Sequence, residues 1–343
     1  MNVLIVGGTG VISTAITRGL VARGERVTVV NRGQTEGELP AGVGQIVVDR
    51  TDMAAFEETM AASGSWDCVI EMRTFTPAEA ESAVRAFRGR TKQLIFCSTV
   101  DIYAKPATKY PIGADEPRST SGSFIYGVQK AQCEEELLAA HARGDFALTI
   151  IRPAYTYGEG SRGILHTFGW ATTYLDRLRR GKPVVVHGNG TSLWTACHRD
   201  DVGRAFVNAA GNAATYGRAY HVAGEEWMTW DHFTRLTAAA LGAPEPEIVH
   251  ISTDLLRAVA PQRAFWCAEN FQFNNIFDNS AARAELGFRY EIDFAAGARR
   301  AIAWLIARDR IEDCDSDPFD DRLIAAYRRL GDGMAAELAG LDR

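Results

Sequence analysis

The sequence contains one tyrosine–lysine pair whose spacing could support acid–base chemistry. Tyr126 and Lys130, in "YGVQK", are four residues apart, so on a helix they lie on the same face. A tyrosine with a pKa of roughly 10 is a poor base at neutral pH, but a nearby ammonium group lowers that pKa. Thr99, which follows an apolar run in "FCSTVDIY", offers a hydroxyl that could hold a substrate oxygen. These residues predict proton transfer at a carbinol or carbonyl oxygen. The alternative is a helix-surface pair and a strand-end threonine without a catalytic role.

A glycine-rich loop near the N-terminus predicts a binding site for a dinucleotide. The stretch "IVGGTGVIS" follows a short apolar run and precedes a helical pattern. Such a loop lets the backbone approach a pyrophosphate, whose charge then meets the helix N-terminus. Ser13 stands where the third glycine of such loops is usually found, and we expect this small side chain to allow similar packing of helix on strand. The candidate cofactor-binding residues of the loop and first helical turn are Gly7, Gly8, Thr9, Gly10, Val11 and Ile12.

The end of the second predicted strand bears on the choice of nicotinamide cofactor. An acidic residue there would bond the adenosine ribose, whereas this chain has Asn31 and Arg32. A guanidinium group suits a 2′-phosphate, so the sequence favours NADP among the NAD(P) cofactors. Arg32 could instead stack on adenine or face water, in which case NAD binds as well. Asp49 is a candidate for the adenine amino group or a cap of the next turn, and Arg50 and Pro153 are further cofactor-binding candidates.

The order of apolar and amphipathic segments predicts an α/β fold with a doubly wound parallel Rossmann sheet. Strand-like runs at 3–6, 27–30, 46–48, 68–70, 94–97 and 148–151 alternate with helical patterns at 12–22, 54–62, 78–87 and 126–142. Short apolar strands joined by helices form a parallel sheet covered on both faces, with ligands at the carboxyl ends of the strands.

The same pattern predicts how the chain divides into domains. Residues 1–158, with returning segments near 184–222, are expected to form the NAD(P)-binding domain. Residues 159–305 are expected to be mainly a smaller substrate-binding lobe. Residues 306–343 are expected to hold an acidic, solvated linker at 313–321 and an amphipathic helix at 323–341.

Composition argues against several classes of protein. The chain is 46% hydrophobic and 23% charged, with a formal net charge of -6, which argues against a nucleic-acid or membrane-surface partner. The first apolar run is too short for a signal segment or a membrane span. The six cysteines lack C-x-x-C spacing and are expected to be buried thiols in a reducing, cytoplasmic compartment. Neither the cysteines nor the histidines have the spacing of a metal site, so no metal is predicted.

Six motifs, in this order, resemble those of the extended short-chain dehydrogenase/reductases: "VGGTGVIS", "STVDIY", "YGVQK", "RPAYTYG", "HRDDV" and "DNSAARAELGF". The most similar group is the nucleotide-sugar epimerase and dehydratase branch, and the resemblance extends to about residue 305. It implies a hydride taken from a substrate carbinol by the nicotinamide, with Tyr126 as base, Lys130 bonded to the ribose and Thr99 donating to the substrate oxygen. In epimerases and dehydratases the hydride returns to the same molecule. The resemblance also implies a homodimer packed through helices of the first lobe, including the one that bears Tyr126.

Two positions depart from the pattern of that branch and leave the substrate open. Its members usually carry an arginine, which binds the substrate diphosphate, four residues before the histidine of H-x-x-D, where this chain has Trp194. They also tend to have an asparagine in the segment where this chain has Tyr155. Either another guanidinium takes over, or the substrate carries less phosphate or none and stacks on Trp194. The arginines that could compensate are Arg162, Arg199, Arg204 and Arg263.

Asp101 is a second candidate for acid–base chemistry. In the dehydratases, as the resemblance implies, the corresponding acid removes the proton next to the new ketone, and the preceding residue, Val100 in this chain, is also acidic. A turn-capping aspartate is the alternative.

Three functions remain open after these observations. The first is an epimerase or dehydratase acting on a small molecule such as a sugar nucleotide or nucleoside. The second is a net NADP(H)-dependent reductase or dehydrogenase of a small carbonyl compound. The third is a non-catalytic protein that binds a nucleotide or RNA, against which the Thr99, Tyr126 and Lys130 set and the negative net charge both argue.

Overall fold

The computed structural model describes residues 1–34 and 39–341. The strands are β1 (Asn2–Val6), β2 (Arg26–Asn31), β3 (Gly44–Val47), β4 (Trp66–Glu71), β5 (Thr91–Cys97), β6 (Ala147–Pro153), β7 (Tyr155–Tyr157), β8 (Val184–His187), β9 (Leu193–Trp194), β10 (Ala196–His198), β11 (Arg218–Val222), β12 (Met228–Thr229) and β13 (Ile248–Ile251). The helices are α1 (Val11–Ala22), α2 (Met53–Ala62), α3 (Pro77–Phe87), α4 (Ile125–Ala142), α5 (Thr173–Arg179), α6 (Arg199–Ala209), α7 (Trp230–Leu241), α8 (Thr253–Val259), α9 (Ser280–Leu286), α10 (Phe294–Ile306) and α11 (Phe319–Leu338). Positions 35–38 and 342–343, which fall within the predicted N-terminal domain and C-terminal segment, lie outside the described residues.

The chain divides into two compact units, each built from three segments. Unit 1 comprises Met1–Gly158, Thr195–Glu226 and Ile276–Asp293, and unit 2 comprises Glu159–Trp194, Trp227–Asn275 and the described residues from Phe294 onward. The returning segments therefore differ from the predicted stretch near 184–222. β8 belongs to unit 2 because it pairs there with β13, while β11 belongs to unit 1 because it pairs with β6.

Unit 1 contains a seven-stranded sheet in the order β11-β6-β5-β4-β1-β2-β3. Every neighbouring pair is parallel, as in the register of Val3 with Val27 and with Cys68. Each strand-like run predicted in the first 151 residues overlaps one of β1 to β6. The predicted Rossmann-like α/β fold is confirmed.

Both faces of this sheet are covered, because β1 is apolar at consecutive positions. Val3 and Ile5 join a core cluster with Leu20 of α1, whereas Leu4 joins another with Phe56 of α2. Successive side chains of a strand point to opposite faces, so a continuous apolar run buries both. The polar residues next to β1 consequently lie in the loop that follows its carboxyl end.

Unit 2 contains two small sheets and the C-terminal helices. β8 pairs parallel with β13, and β9 pairs antiparallel with β12. The predicted final helix corresponds to α11. Among the described residues, none of the helices combines the length and apolar character that crossing a bilayer requires.

The acidic segment at 313–321, predicted as a solvated linker, is exposed and also forms ion pairs with α5 and the residues that follow it. Asp313 and Asp315 form ion pairs with Arg180, and Asp315 and Asp321 form ion pairs with Lys182. The acidic side chains remain substantially exposed, so each pair contributes little by itself. The segment contains a short 3-10 turn, Cys314–Ser316, and packs on the end of α5.

Candidate active site

The residues predicted to transfer protons lie together in unit 1, past the carboxyl end of β5. Thr99 caps the 3-10 turn Val100–Ile102, and its hydroxyl accepts a hydrogen bond from the Asp101 amide at 3.1 Å. Tyr126 and Lys130 are one turn apart on α4. The side chains of Thr99 and Tyr126 are hydrogen-bonded to each other. The segment after β5 and helix α4 therefore bring the hydroxyl groups of Thr99 and Tyr126 together.

Gly127 allows α4 to approach the turn that carries Asp101. A Cβ added at Gly127 would lie 2.2 Å from the carbonyl oxygen of Asp101. No side chain can occupy that space without moving the helix or the turn. The residue next to Tyr126 therefore sets how close the phenol comes to Thr99.

Lys130 is buried and bonded to the end of β5 and to the loop that follows β4. Its ammonium group donates to the carbonyl oxygen of Thr74 at 2.7 Å and of Cys97 at 2.8 Å, and it lies 4.7 Å from the ring centres of Phe75 and Phe96. An ammonium group has three donors, so one remains without an acceptor among the residues described. Burial lowers the pKa of Lys130.

The protein environment raises the pKa of Tyr126 above its ordinary value. Burial is the largest cause, and the charge of Asp101 acts in the same direction, while the hydrogen bond with Thr99 opposes them. This direction is opposite to the one expected from the spacing of Tyr126 and Lys130, because burial disfavours the charged phenolate. At neutral pH Tyr126 therefore carries its proton.

Asp101 is paired with a lysine that the sequence analysis did not single out. Lys105 Nζ lies 3.7 Å from Asp101 Oδ1, with only 7% of the Lys105 side chain exposed. Thr99 Oγ1 lies 3.3 Å from the other oxygen of the same carboxylate, Oδ2. Burial lowers the pKa of Lys105 to about 8, although Asp101 acts to raise it. The four-residue spacing of Asp101 and Lys105 was the available signal.

Ser13 holds the backbone of the glycine loop in place through two hydrogen bonds. Ser13 Oγ accepts from the Gly10 amide at 2.7 Å and donates to the Gly7 carbonyl oxygen at 2.7 Å. Gly7 has a φ of +86°, a conformation that other residues rarely adopt. The amides of Val11 and Ile12, in the first turn of α1, have no acceptor within the helix. The loop and helix start thus fit the pyrophosphate of a dinucleotide.

Arg73 lies directly over this loop and was missed in the sequence analysis. A Cβ added at Gly7 would lie 2.3 Å from Arg73 Cγ. Arg73 and Arg32 both lower the pKa of Asp49 through their charges, after the larger effect of hydrogen bonds from Thr51. Two arginines therefore lie near Asp49. The position of Arg73 just after β4, at the carboxyl edge of the sheet, was the signal available in the sequence.

The remaining cofactor candidates differ in what their side chains contact. Asp49 Oδ1 accepts from both the amide and the hydroxyl of Thr51, at 2.9 and 2.8 Å, and so caps the turn. Asn31 Oδ1 accepts from the Gly33 amide at 2.8 Å.

The Arg50 guanidinium is buried and lies within the protein core. It donates to the Glu79 carbonyl oxygen at 2.6 Å and lies 3.6 Å from Glu71. It also stacks 4.2 Å from the centre of the Phe56 ring. The cofactor contact predicted for Arg50 therefore receives no support from the direction of its side chain.

Three predicted ligand-binding residues lie at or after the end of β6. Pro153 is the last residue of β6 and is buried. Tyr155 is half-buried in β7 and stacks on Tyr157, with ring centres 5.9 Å apart. Arg199 begins α6 and lies 3.7 Å from Asp200. All three belong to unit 1.

Trp194 belongs to the aromatic core of unit 2. It is 5% exposed and lies 5.1 Å from the ring centre of Trp230 and 5.2 Å from that of Phe271. Its ring is therefore largely covered by protein side chains within that unit.

Two of the arginines considered as phosphate ligands are already ion-paired. Arg204 pairs with Asp201 and Glu291, and Arg263 pairs with Asp317 at 2.6 Å. Arg162 is exposed in unit 2. The two pairs reduce the positive charge that Arg204 and Arg263 could offer to a diphosphate.

The profile of the NAD dependent epimerase/dehydratase family matches residues 3–223. The chain belongs to this family. The matched region includes the glycine loop, Thr99, Tyr126 and Lys130. The predicted resemblance to the extended short-chain dehydrogenase/reductases is confirmed, and the chain is an NAD(P)-dependent enzyme of that type.

The individual proteins that are similar to this chain are named for different functions. The chain is 27% identical over 318 residues to a 2′-dehydrokanamycin reductase of Streptomyces kanamyceticus, covering 92% of this chain and 87% of that protein. It is 27% identical over 311 residues to the chloroplast stem-loop binding protein of 41 kDa b of Arabidopsis thaliana, covering 86% and 77%. Its fold is similar to that of UDP-glucose 4-epimerase from Bifidobacterium longum, solved with NAD+ and UDP, with a TM-score of 0.72, 19% identity and coverage of 91% and 100%.

Proposed function

We propose that this enzyme interconverts a secondary alcohol and a ketone on a sugar-like small molecule. The observation that carries the proposal is the hydrogen bond between Thr99 and Tyr126, formed one helical turn from the buried Lys130. The two hydroxyl groups can hold a single substrate oxygen, and the phenol of Tyr126 is a stronger acid than the alcohol of Thr99, so Tyr126 is the group that exchanges a proton with it.

Each residue has a defined task in this proposal. Thr99 orients the substrate oxygen, and Tyr126 donates a proton to that oxygen as a carbonyl is reduced or removes it as a carbinol is oxidised. Lys130 uses its remaining N–H to hold the cofactor ribose. When bound, the nicotinamide supplies or takes up the hydride. The backbone of the Ser13-anchored loop holds the pyrophosphate.

NADP is the cofactor that the charged groups favour. Arg32 is exposed at the end of β2, and Arg73 lies nearby over the glycine loop. A 2′-phosphate would find two guanidinium groups at this edge of the sheet, whereas the ribose of NAD needs an acceptor there. Asp49 could still accept from the adenine amino group through its second oxygen.

The hydride could return to the same molecule, as in an epimerase or dehydratase. The position of Asp101 beside Thr99 supports this first candidate, because a carboxylate at that position can remove a proton next to a ketone. The substrate would then be a sugar nucleotide or a nucleoside-like compound.

Net reduction of a small carbonyl compound is the second candidate, supported by three observations. The raised pKa of Tyr126 keeps the phenol protonated, which is the form that donates to a reduced carbonyl. The position of the family's diphosphate-binding arginine is Trp194, which is buried in unit 2. The relative from Streptomyces kanamyceticus is named a reductase.

A Tyr126→Phe variant tests the proposed chemistry. We expect kcat to fall by about 10²- to 10⁴-fold, the usual contribution of a general acid or base, with cofactor affinity retained. The assay follows NADPH or NADH absorbance with ketosugars offered free, as nucleosides and as nucleoside diphosphates. Tyr216→Phe, at an exposed tyrosine of unit 1, is the control and should leave the rate unchanged. Full activity of Tyr126→Phe would contradict the proposal.

Mass spectrometry of the nucleotide released from denatured enzyme separates the two candidates. Stoichiometric oxidised cofactor retained through purification supports the epimerase or dehydratase, because a recycled hydride acceptor does not need to leave. Protein that is purified empty and binds added NADPH reversibly supports the net reductase. The mass of the bound nucleotide distinguishes NAD from NADP.

A homodimer in the cytoplasm is also part of the proposal. The family resemblance supports a dimer packed through helices of unit 1, including α4. Sedimentation equilibrium of the purified enzyme tests the dimer, and a monomer at micromolar concentration would contradict it.

A further inference from the structure

Lys105 is a buried cation that the proposed mechanism does not use. It follows the turn Val100–Ile102 and lies 3.7 Å from Asp101, with side-chain exposures of 7% for Lys105 and 17% for Asp101. A charge is costly to bury unless an opposite charge compensates it. The two side chains therefore stabilise each other's charged forms.

The pair is connected to the catalytic tyrosine through one hydroxyl. Asp101 Oδ1 faces Lys105, and its Oδ2 lies 3.3 Å from Thr99 Oγ1. Thr99 is in turn hydrogen-bonded to Tyr126. A continuous path of polar contacts thus joins Lys105 to the phenol, and the charge of Asp101 acts on Tyr126 directly.

We propose that Lys105 is a positioning residue for the Tyr126 reaction, and that its proton controls the effective negative charge that Asp101 presents to Thr99 and Tyr126. The inference rests on the proposed function of Tyr126. With Lys105 protonated, the Lys105–Asp101 pair is neutral overall. When Lys105 loses its proton, the Asp101 charge is uncompensated and raises the pKa of Tyr126. The phenol then donates its proton less readily, and the phenolate that acts as the base forms less readily.

Lys130, one turn from Tyr126, also has a pKa lowered by burial, whereas the two thiols near the phenol do not change charge near pH 8. Cys97, at the end of β5, and Cys133, on α4, also face the phenol. Burial raises the pKa of Cys97 to about 11 and that of Cys133 to about 12. Both stay neutral near pH 8, where Lys105 titrates. Loss of the Lys105 proton should slow the reaction as pH rises through about 8, and the absence of this loss in Lys105→Met would distinguish it from deprotonation of Lys130.

The first measurement is an NMR titration of lysine labelled with ¹³C at Cε, in the full-length enzyme. The chain has only five lysines, Lys92, Lys105, Lys109, Lys130 and Lys182, so single substitutions assign the signals. We expect Lys105 to titrate near pH 8, and Asp101→Asn to move that titration downward because a stabilising negative charge is lost. Titration at the roughly 10.4 of an ordinary lysine, or no response to Asp101→Asn, overturns the inference.

The second measurement is the pH profile of kcat/KM. The wild-type enzyme should lose activity above pH 8. Lys105→Met should be about tenfold slower than wild type at pH 7 and should show no further loss above pH 8. Lys105→Arg should recover the wild-type rate and keep it at higher pH. Lys109→Met, at an exposed lysine nearby, is the matched control. Thermal unfolding of each variant separates a loss of fold from a change in profile.

The outcomes distinguish this inference from the proposed function. An active, Tyr126-dependent enzyme whose pH profile is the same in wild type and Lys105→Met overturns the role of Lys105 alone. Absence of any Tyr126-dependent activity overturns the proposed function, and the inference with it. The titration is read on the free enzyme, so it reports on the Lys105–Asp101 pair in either case.

Discussion

At the scale of single residues, the site combines a proton donor, Tyr126, with a lysine, Lys130, that already donates hydrogen bonds within the protein. Lys130 donates two of its three N–H groups to the carbonyl oxygens of Thr74 and Cys97. Its position is therefore fixed before any ligand arrives, and little conformational entropy remains to be lost when a ribose binds. Tyr126, held against Thr99, is likewise oriented in advance. Both groups are preorganised for a substrate oxygen and a cofactor.

Replacing Arg32 by alanine tests the preference for NADP. We expect the affinity for NADPH to fall roughly ten- to a hundredfold, because a hydrogen bond to a charged group contributes about 1.5–3 kcal/mol, while the affinity for NADH changes little. Fluorescence titration with each cofactor measures both constants. Arg26→Ala, at the exposed arginine that begins the same strand, removes an equal charge at the opposite end of β2 and should have no effect. Equal losses for both cofactors would refute the preference.

The sequence alone identified the residues whose spacing predicts a shared site. Tyr126 and Lys130 share a helix face, and Thr99 closes a strand, so local periodicity was enough to group them. Arg73 and Lys105 were missed because their positions, just after a strand for Arg73 and four residues after Asp101 for Lys105, do not by themselves predict a contact. Their roles come from tertiary contacts, Arg73 with Gly7 and Lys105 with Asp101.

At the scale of elements, the start of α1 shows how a departure from a motif is accommodated. Ser13 replaces a glycine that usually permits close packing, yet its hydroxyl ties Gly7 and Gly10 together and the side chain is fully buried. Substitution by glycine would give the sequence a more typical motif while removing both hydrogen bonds. The serine is therefore a structural part of the loop.

A Ser13→Ala variant should weaken both the fold and cofactor binding. Loss of the two Ser13 hydrogen bonds to the loop backbone costs about 1–3 kcal/mol, and the loop should also become less ordered, so that cofactor affinity falls several-fold. Urea unfolding and fluorescence titration measure the two effects. Thr14→Ala removes only a bond to the Val11 carbonyl oxygen within the same helix and is the control. If the two variants behave alike, Ser13 does not anchor the loop.

The elements of unit 1 were predictable wherever a strand was a continuous apolar run. β1 to β6 and α1 to α4 all correspond to predicted segments. The segment 276–293 was not predicted to return to unit 1, because it contributes no strand to the sheet. It is held by contacts such as the Asn208 side chain donating to the Leu286 carbonyl oxygen at 2.8 Å. Such pairings leave no periodic signal in the sequence.

At the scale of the whole molecule, buried histidines make stability depend on pH. Burial lowers the pKa of His166 to about 3 and those of His187 and His221 to about 4. Unfolded histidine binds a proton near pH 6.5. Below that pH the unfolded chain binds more protons than the folded one, so stability falls as pH falls from about 6.5 towards 4.

The free energy of unfolding should drop by a few kcal/mol between pH 7.5 and 4.5, as measured by urea unfolding. His166→Phe should reduce this slope. His166 stacks on Tyr174 at 4.6 Å, and its Nε2 has no hydrogen-bond partner among the described residues. The exposed His232 provides the control His232→Gln, which should keep the full slope. A slope that His166→Phe leaves intact would contradict this assignment.

Because unit 1 is built from three segments of the chain, it cannot be completed until late in translation. Edge strand β11 and the segment that ends at Asp293 are translated after long stretches that belong to unit 2. At about 5–20 residues per second, roughly 3–13 s pass between synthesis of Gly158 and of Val222, the last residue of β11, which pairs with β6. During that interval β6 of a nascent chain has an open edge, which is a template for pairing with other chains. Chaperone protection of the emerging polypeptide should therefore matter most after the first 158 residues have been made.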